Sequence, residues 1–170
     1  MGGIRRTGSE MIAFTEEALQ FMRTALDGGV VKFRSGEHTI EGHEAGPVSA
    51  SPLPLWLGSN GPRMLAVTGR SSDGWVSPLS TYVGPTAVPS RQRVIDDAAR
   101  SAGRDPADVR TIYNVVGAIG PARRGPGLAG DVESWVAALT DWSVRPDAQR
   151  HFVVRARMHA PRPAAGPKGK

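Results

Sequence analysis

Between Leu53 and Ile119 the sequence changes hydrophobic period four times, and that alternation limits the fold more than any other feature. Leu53-Pro54-Leu55-Trp56-Leu57-Gly58 is too short and too apolar for a surface helix and reads as a buried strand of a parallel sheet. Arg63 to Arg70 follows with an apolar helical face of Met64, Leu65, Val67 and Thr68. Pro62 suits its first turn, where a missing N–H costs nothing. Gly74-Trp75-Val76-Ser77 is a second strand ended by Pro78, Ser90 to Ala102 a helix stopped by Gly103, and Arg110 to Ile119 a third strand. Strand, helix, strand, helix, strand predicts successive βαβ units around a parallel sheet, an α/β fold.

The flanks carry weaker patterns. Ser9 to Asp27 reads as a helix, with Met11, Phe14, Ala18, Leu19, Met22 and Ala25 at helical spacing, Thr7 and Glu10 in capping-box register, and Gly28-Gly29 as its stop. Val30 to Phe33 and His38 to Ile40, on either side of Arg34-Ser35-Gly36, read as a small hairpin. Gly46 to Pro52 is an irregular connection and Pro121 to Gly130 a loop. Asp131 to Trp142 forms a last helix and His151 to Val154 a fourth strand, and the Pro-rich remainder is expected to be disordered.

Composition narrows the chemistry. The 170 residues include no cysteine, which excludes disulfides, thiolate-bound metals and a thiol nucleophile. No apolar run approaches the ~18 residues of a membrane span, and Met-Gly-Gly-Ile-Arg-Arg leads into a charged amphipathic segment and not an apolar signal core, so a cytoplasmic protein is expected. The net charge of +5 belongs to the tail: 144–170 holds seven basic residues against Asp147, leaving −1 for the first 143 residues. Only Lys32, Lys168 and Lys170 are lysines, and no folded nucleic-acid reader motif is present, so specific nucleic-acid binding is not expected.

The turn Gly58-Ser59-Asn60-Gly61-Pro62 is the most chemically suggestive segment. It leaves the C-terminal end of a strand and opens a helix, where parallel α/β sheets bind ligands and the first helical N–H groups can face an anion. The same residues also serve as an ordinary tight strand–helix connection, and the local sequence leaves both readings open. Gly125-Pro126-Gly127-Leu128-Ala129-Gly130 matches G-x-G-x-x-G, but it lies well beyond its strand in a glycine-rich chain and reads as a chance match. Glu37, His38, Glu41, His43 and Glu44 cluster like metal ligands, yet His38 and His43 fall on opposite faces of a strand, so a solvated hairpin is expected and no metal site. No nucleophile elbow is present, and the catalytic residues stay unassigned.

Several separated motifs, in order, resemble the luciferase-like monooxygenase family, the flavin- and F420-dependent relatives of bacterial luciferase. The segment Leu53 to Trp75 is similar to its strand, Gly-Pro turn, helix and Ala-Asp-Gly-Trp run. Ile95 to Pro106 resembles its helix ending in Ala-Gly-Arg-Asp-Pro. The opening helix with Glu17-Ala18-Leu19, the Val31-Lys32-Phe33 and Arg34 to Glu37 hairpin, and Gly46-Pro47 also fit, so the likeness covers about residues 3 to 142.

The resemblance implies a (β/α)8 TIM barrel that binds FMN or coenzyme F420 at the C-terminal ends of its strands and acts on a small organic substrate. Carried over by position, Gly58, Ser59, Asn60 and Gly61 match the loop around the cofactor phosphate. Some deazaflavin-using members place a threonine and a lysine after the next strand; here Pro78-Leu79-Ser80-Thr81 has no lysine, which leaves the hydroxyls of Ser77, Ser80 and Thr81. A full barrel needs ~250 residues, so the expectation is a partial barrel: residues 1–142 as its C-terminal half, truncated and inactive alone, and 143–170 as a divergent basic tail, as an altered reading frame near Ser143 would produce. The alternative is a non-catalytic half-barrel module held by self-association, a homo-oligomer, or by a partner covering its open edge.

Overall fold

The computed structural model describes residues 5–34, 39–120 and 127–143, together with the backbone of 152–158. Helix α1 spans Gly8–Leu26 and starts at the expected capping box: the Glu10 N–H donates to Thr7 Oγ1 and the Thr7 N–H to the Glu10 carboxylate at 2.7 Å. It ends at Gly28, whose φ of +79° is open to glycine at little cost. The antiparallel hairpin of β1 (Val30–Arg34) and β2 (Thr39–Glu44) follows, docked on α1 through Phe21 and Phe33, whose ring centroids lie 5.5 Å apart. Of the acidic and histidine cluster, Glu41, His43 and Glu44 are exposed on β2, and Arg34 pairs with Glu41; Glu37 and His38 lie outside the described residues.

The alternating segment builds a parallel sheet. Strand β3 (Trp56–Gly58), α2 (Pro62–Ser71), β4 (Gly74–Val76), α3 (Val88–Ser101) and β5 (Arg110–Ile119) follow in order, β3 pairing with β4 and β4 with β5, all parallel. Helix α3 begins two residues before the expected Ser90, after a 3-10 turn at Pro85–Ala87. The expected loop at 121–130 ends in a short strand, β6 (Leu128–Gly130), and α4 (Val132–Ser143) follows. The fourth strand is longer than expected: β7 (Phe152–Met158) lies parallel along β5. Gly117 pairs with Leu128 and Met158 at once, and Thr111 with Trp75 and Phe152. A strand has two edges, so β7 occupies one edge of β5, while β4 and β6 share the other, end to end. The five strands therefore make a sheet four strands across, the parallel α/β arrangement expected of part of a barrel. The expected disorder beyond Val154 falls mostly on 159–170, outside the described residues.

The expected buried strand at 53–58 is shorter and less buried than its composition implies. Only Trp56–Gly58 pair, Leu53 is exposed, and Trp56 and Leu57 are half-buried. The reason is position: β3 is an edge strand with one described neighbour, so its apolar residues are covered from one side only. The core lies between sheet and helices, where Leu65, Trp75, Val83, Ile95, Val109, Tyr113, Val115 and Trp135 are buried together. On β5, Thr111, Tyr113 and Val115 turn into this core while Ile112, Asn114 and Val116 on the opposite face are half-buried, the period-2 pattern of a strand with one face covered. No helix among the described residues is long and apolar enough to cross a membrane.

Candidate functional site

The turn between β3 and α2 holds the four sequence-predicted residues, and their roles separate. Ser59 is 5% exposed, its hydroxyl 2.8 Å from Thr68 Oγ1, while its carbonyl accepts from the buried Trp75 indole N–H at 2.9 Å. Its side chain therefore ties the turn to α2, and its backbone ties it to β4. Gly58, Asn60 and Gly61 are exposed. Gly61 is the N-cap of α2 at φ −73°, ψ 148°, ordinary extended backbone, and a Cβ there would meet nothing within 4 Å. Neither packing nor conformation demands a glycine there; what its absent side chain provides is open space in front of the first helical N–H groups.

Among the described residues no side chain caps that helix end. Its first turn holds no acidic residue, and Arg63 sits there instead. The positive end of the helix dipole usually attracts Asp or Glu. Asn60 Oδ1 accepts from Arg91 Nε at 2.9 Å, and Arg91 Nη1 donates to the Ala87 carbonyl at 3.1 Å. Arg91 stands in the first turns of α3, a place that the sequence pattern marks only as the polar face of a helix.

The hydroxyls after β4 do other work. Ser77 Oγ accepts from the Asn114 N–H at 3.2 Å and donates to the Pro78 carbonyl at 3.1 Å, and Ser80 Oγ accepts from the Val116 N–H at 3.1 Å. The segment after β4 thus continues along β5 where β4 stops and before β6 begins. Thr81 is exposed. In the G-x-G-x-x-G segment, Gly125 and Pro126 lie outside the described residues; Gly127 serves close packing, since a Cβ on it would lie 2.2 Å from the Val116 carbonyl oxygen.

A second polar cluster frames the other side of α2 and is structural. Asp73 accepts the Leu55 N–H at 2.7 Å and pairs with Arg23, which also donates to the Leu53 carbonyl, so α1, the approach to β3 and the start of β4 are tied at one carboxylate. Arg70 donates to both carboxylate oxygens of Glu16, at 2.8 and 3.0 Å, and holds that carboxyl below its usual range. Tyr113 donates to the Val83 carbonyl at 2.7 Å, and burial pushes its phenol up to about 12.

Comparison with known proteins bears on the fold and the family. The phthiodiolone/phenolphthiodiolone dimycocerosates ketoreductase of Mycobacterium kansasii is 32% identical over 102 residues, 58% of this chain and 27% of the relative. The chain thus spans about a quarter of that relative's length. A solved F420-dependent secondary alcohol dehydrogenase, in complex with an F420-acetone adduct, superposes with a TM-score of 0.76 at 14% identity, over 93% of this chain and 60% of that one. A riboflavin lyase with modified FMN and riboflavin superposes at a TM-score of 0.56 and 10% identity, over 74% of this chain and 44% of that one. At those identities the two structures show the fold alone, a partial TIM barrel. The family match is direct: residues 5–124 fit the family described as luciferase-like monooxygenase, and this chain belongs to it.

Proposed function

We propose that this chain carries the phosphate-holding part of a flavin or deazaflavin site, for FMN or coenzyme F420, in an oxidoreductase acting on a small organic substrate. The carrying observation is the start of α2: a helix N-terminus at a strand end with no side-chain cap, no first-turn acid, open space at Gly61, and arginines at 63 and 91. Backbone N–H groups and guanidinium ions are the donors a phosphate takes, so these residues fit the group. When bound, the flavin or deazaflavin supplies hydride transfer, or oxygen chemistry in the case of FMN. The chain's own part is binding and orientation. The Gly58–Gly61 backbone faces the phosphate, Ser59 and Thr68 hold the turn, and Trp75 fixes the Ser59 carbonyl from beneath. On this reading the chain binds cofactor by itself and is inactive without the rest of a barrel, in keeping with the 27% of its relative that it spans.

Fluorescence titration with FMN and, separately, with F420 tests this. One cofactor should bind saturably, and Gly61→Asp, which puts a carboxylate at the helix end without crowding anything, should abolish that binding. Failure of both cofactors to bind overturns the reading.

The second reading, a half-barrel module held together by self-association, is favoured by one observation. The sheet is four parallel strands across, and the outer edge of β3 has no partner among the described residues. Unpaired strand edges recruit other strands. Gel filtration separates the readings: a well-behaved dimer that binds neither cofactor supports the module.

A further inference from the structure

We propose that Asn60 is a site of spontaneous deamidation, which Arg91 promotes and which leaves a carboxylate in the turn between β3 and α2. The inference goes beyond the cofactor reading and does not depend on it.

The reaction needs an asparagine whose side-chain carbonyl carbon can be reached by the next backbone nitrogen. Asn60 is followed by Gly61, and glycine, lacking a Cβ, obstructs that approach least. Both residues are exposed, and a Cβ on Gly61 would meet nothing within 4 Å, so the turn has room for the ring that forms. Among the described residues neither the Gly61 N–H nor the Asn60 NH2 has a hydrogen-bond partner, so nucleophile and leaving group are both unheld.

The amide oxygen is held. Arg91 Nε donates to Asn60 Oδ1 at 2.9 Å, and Arg91 Nη1 donates to the Ala87 carbonyl at 3.1 Å. A guanidinium only donates, so the oxygen and not the NH2 faces it. Negative charge develops on that oxygen when the nitrogen attacks, and a cationic donor about 3 Å away stabilises it.

The step balances without an oxidant or reductant. The Gly61 nitrogen gives up its proton to solvent base and bonds to Asn60 Cγ. The Cγ–Nδ2 bond breaks, and the side-chain nitrogen leaves as ammonia with a proton from water. Water then opens the cyclic imide: at Cγ it gives aspartate, and at the main-chain carbonyl it gives isoaspartate with one more carbon in the backbone. Either product sets a carboxylate beside Arg91, which no carboxylate pairs with among the described residues. On the cofactor reading, that charge opposes an incoming phosphate, so an aged chain binds more weakly.

Asn114, the other asparagine in the sequence, is the internal reference. It lies in β5 before the branched, buried Val115, and its Nδ2 donates to the Ser77 carbonyl at 2.8 Å. Its neighbour is bulky and its leaving group is held.

The full chain is incubated in mildly alkaline buffer, digested with trypsin and followed by mass spectrometry. The peptide ending at Arg63 should gain about 1 Da and split into two chromatographic forms, aspartate and isoaspartate, while the peptide holding Asn114 keeps its mass. Gly61→Ala, whose Cβ fits the open turn, should lose the gain over the same period. Arg91→Gln should slow it by about threefold to tenfold, less than a buried oxyanion donor is worth because this turn is exposed. No gain in the wild type overturns the proposal, and so does an equal gain at Asn114, which marks chemistry of the unfolded chain. A rate in Arg91→Gln equal to or above wild type, with Asn114 intact, also overturns it. Where Asn114 reacts too, that variant has unfolded, and Arg91→Lys, which keeps the charge but not the Nε donor, is read in its place by the same criterion. The mass gain decides the matter whether or not either cofactor binds.

Discussion

A methyl group on Gly69 would lie 2.1 Å from the carbonyl oxygen of Ile95 and 3.0 Å from the Ala99 nitrogen. Helices α2 and α3 therefore cross at a point with no room for any side chain. The obstacle is backbone, which cannot rotate away as a side chain would. Gly69→Ala should destabilise by about 1–3 kcal/mol, the cost of overpacking a tight core, despite the better helix propensity of alanine. Urea denaturation measures this, and a midpoint equal to or above wild type would contradict the crossing.

The Ser59 hydroxyl is expected to matter for stability and not for ligand. It is buried against Thr68 Oγ1, which keeps its own bond to the Met64 carbonyl at 3.0 Å. Ser59→Ala should cost roughly 1 kcal/mol of unfolding free energy. The affinity for whichever cofactor binds should stay within about twofold, well under the ~1.4 kcal/mol that a tenfold change represents. A variant of wild-type stability with lost affinity would make Ser59 a ligand contact.

Glu16 and Arg70 give the fold a salt- and acid-sensitive clasp between α1 and α2. Arg70 lowers the folded-state value of the Glu16 carboxyl from 4.5, so the unfolded chain binds that proton more readily. The stabilisation is complete above the ordinary carboxylate value and is lost as pH falls through the lower folded one. Glu16→Gln should therefore lower the thermal midpoint at pH 7 and leave it unchanged once the carboxyl is protonated in acid. Both side chains are about a third exposed, so added salt should shrink the difference at pH 7. A pH-independent difference would mean the pair acts through packing alone.

Tyr113 should be silent in an alkaline titration of the folded chain. Its phenol is buried, pushed up to about 12, and donates to the Val83 carbonyl. Of the two tyrosines in the sequence, it should ionise only with unfolding, visible as a delayed absorbance step that Tyr113→Phe removes. The same variant should cost about 1–3 kcal/mol by stranding the Val83 carbonyl. A first absorbance step equal to two phenolates would contradict its burial.

Much of the architecture was legible in the chain before any coordinates. The βαβ alternation from Leu53 to Ile119, the Thr7 and Glu10 capping box, Pro62 in the first turn of α2 and the span of β5 follow from side-chain period and capping chemistry, which act over a few residues. The strand-end turn Gly58–Gly61 was equally visible, because strand-to-helix changes with glycines are local events. What each of its residues does was not. Ser59 turned out to bond Thr68, Gly61 to leave open space, and Ser77 and Ser80 to carry the segment after β4 along β5. Arg91 lies 31 residues from Asn60. Their meeting depends on how closely two helices pack, and so on Gly69 and Ile95. The exposure of Leu53 and the place of β7 along β5 likewise depend on which strands become neighbours. Sequence period determines elements and their faces because it records short-range sterics and burial; tertiary structure decides which charges and hydroxyls meet, because those distances are set by contacts between segments far apart in the chain.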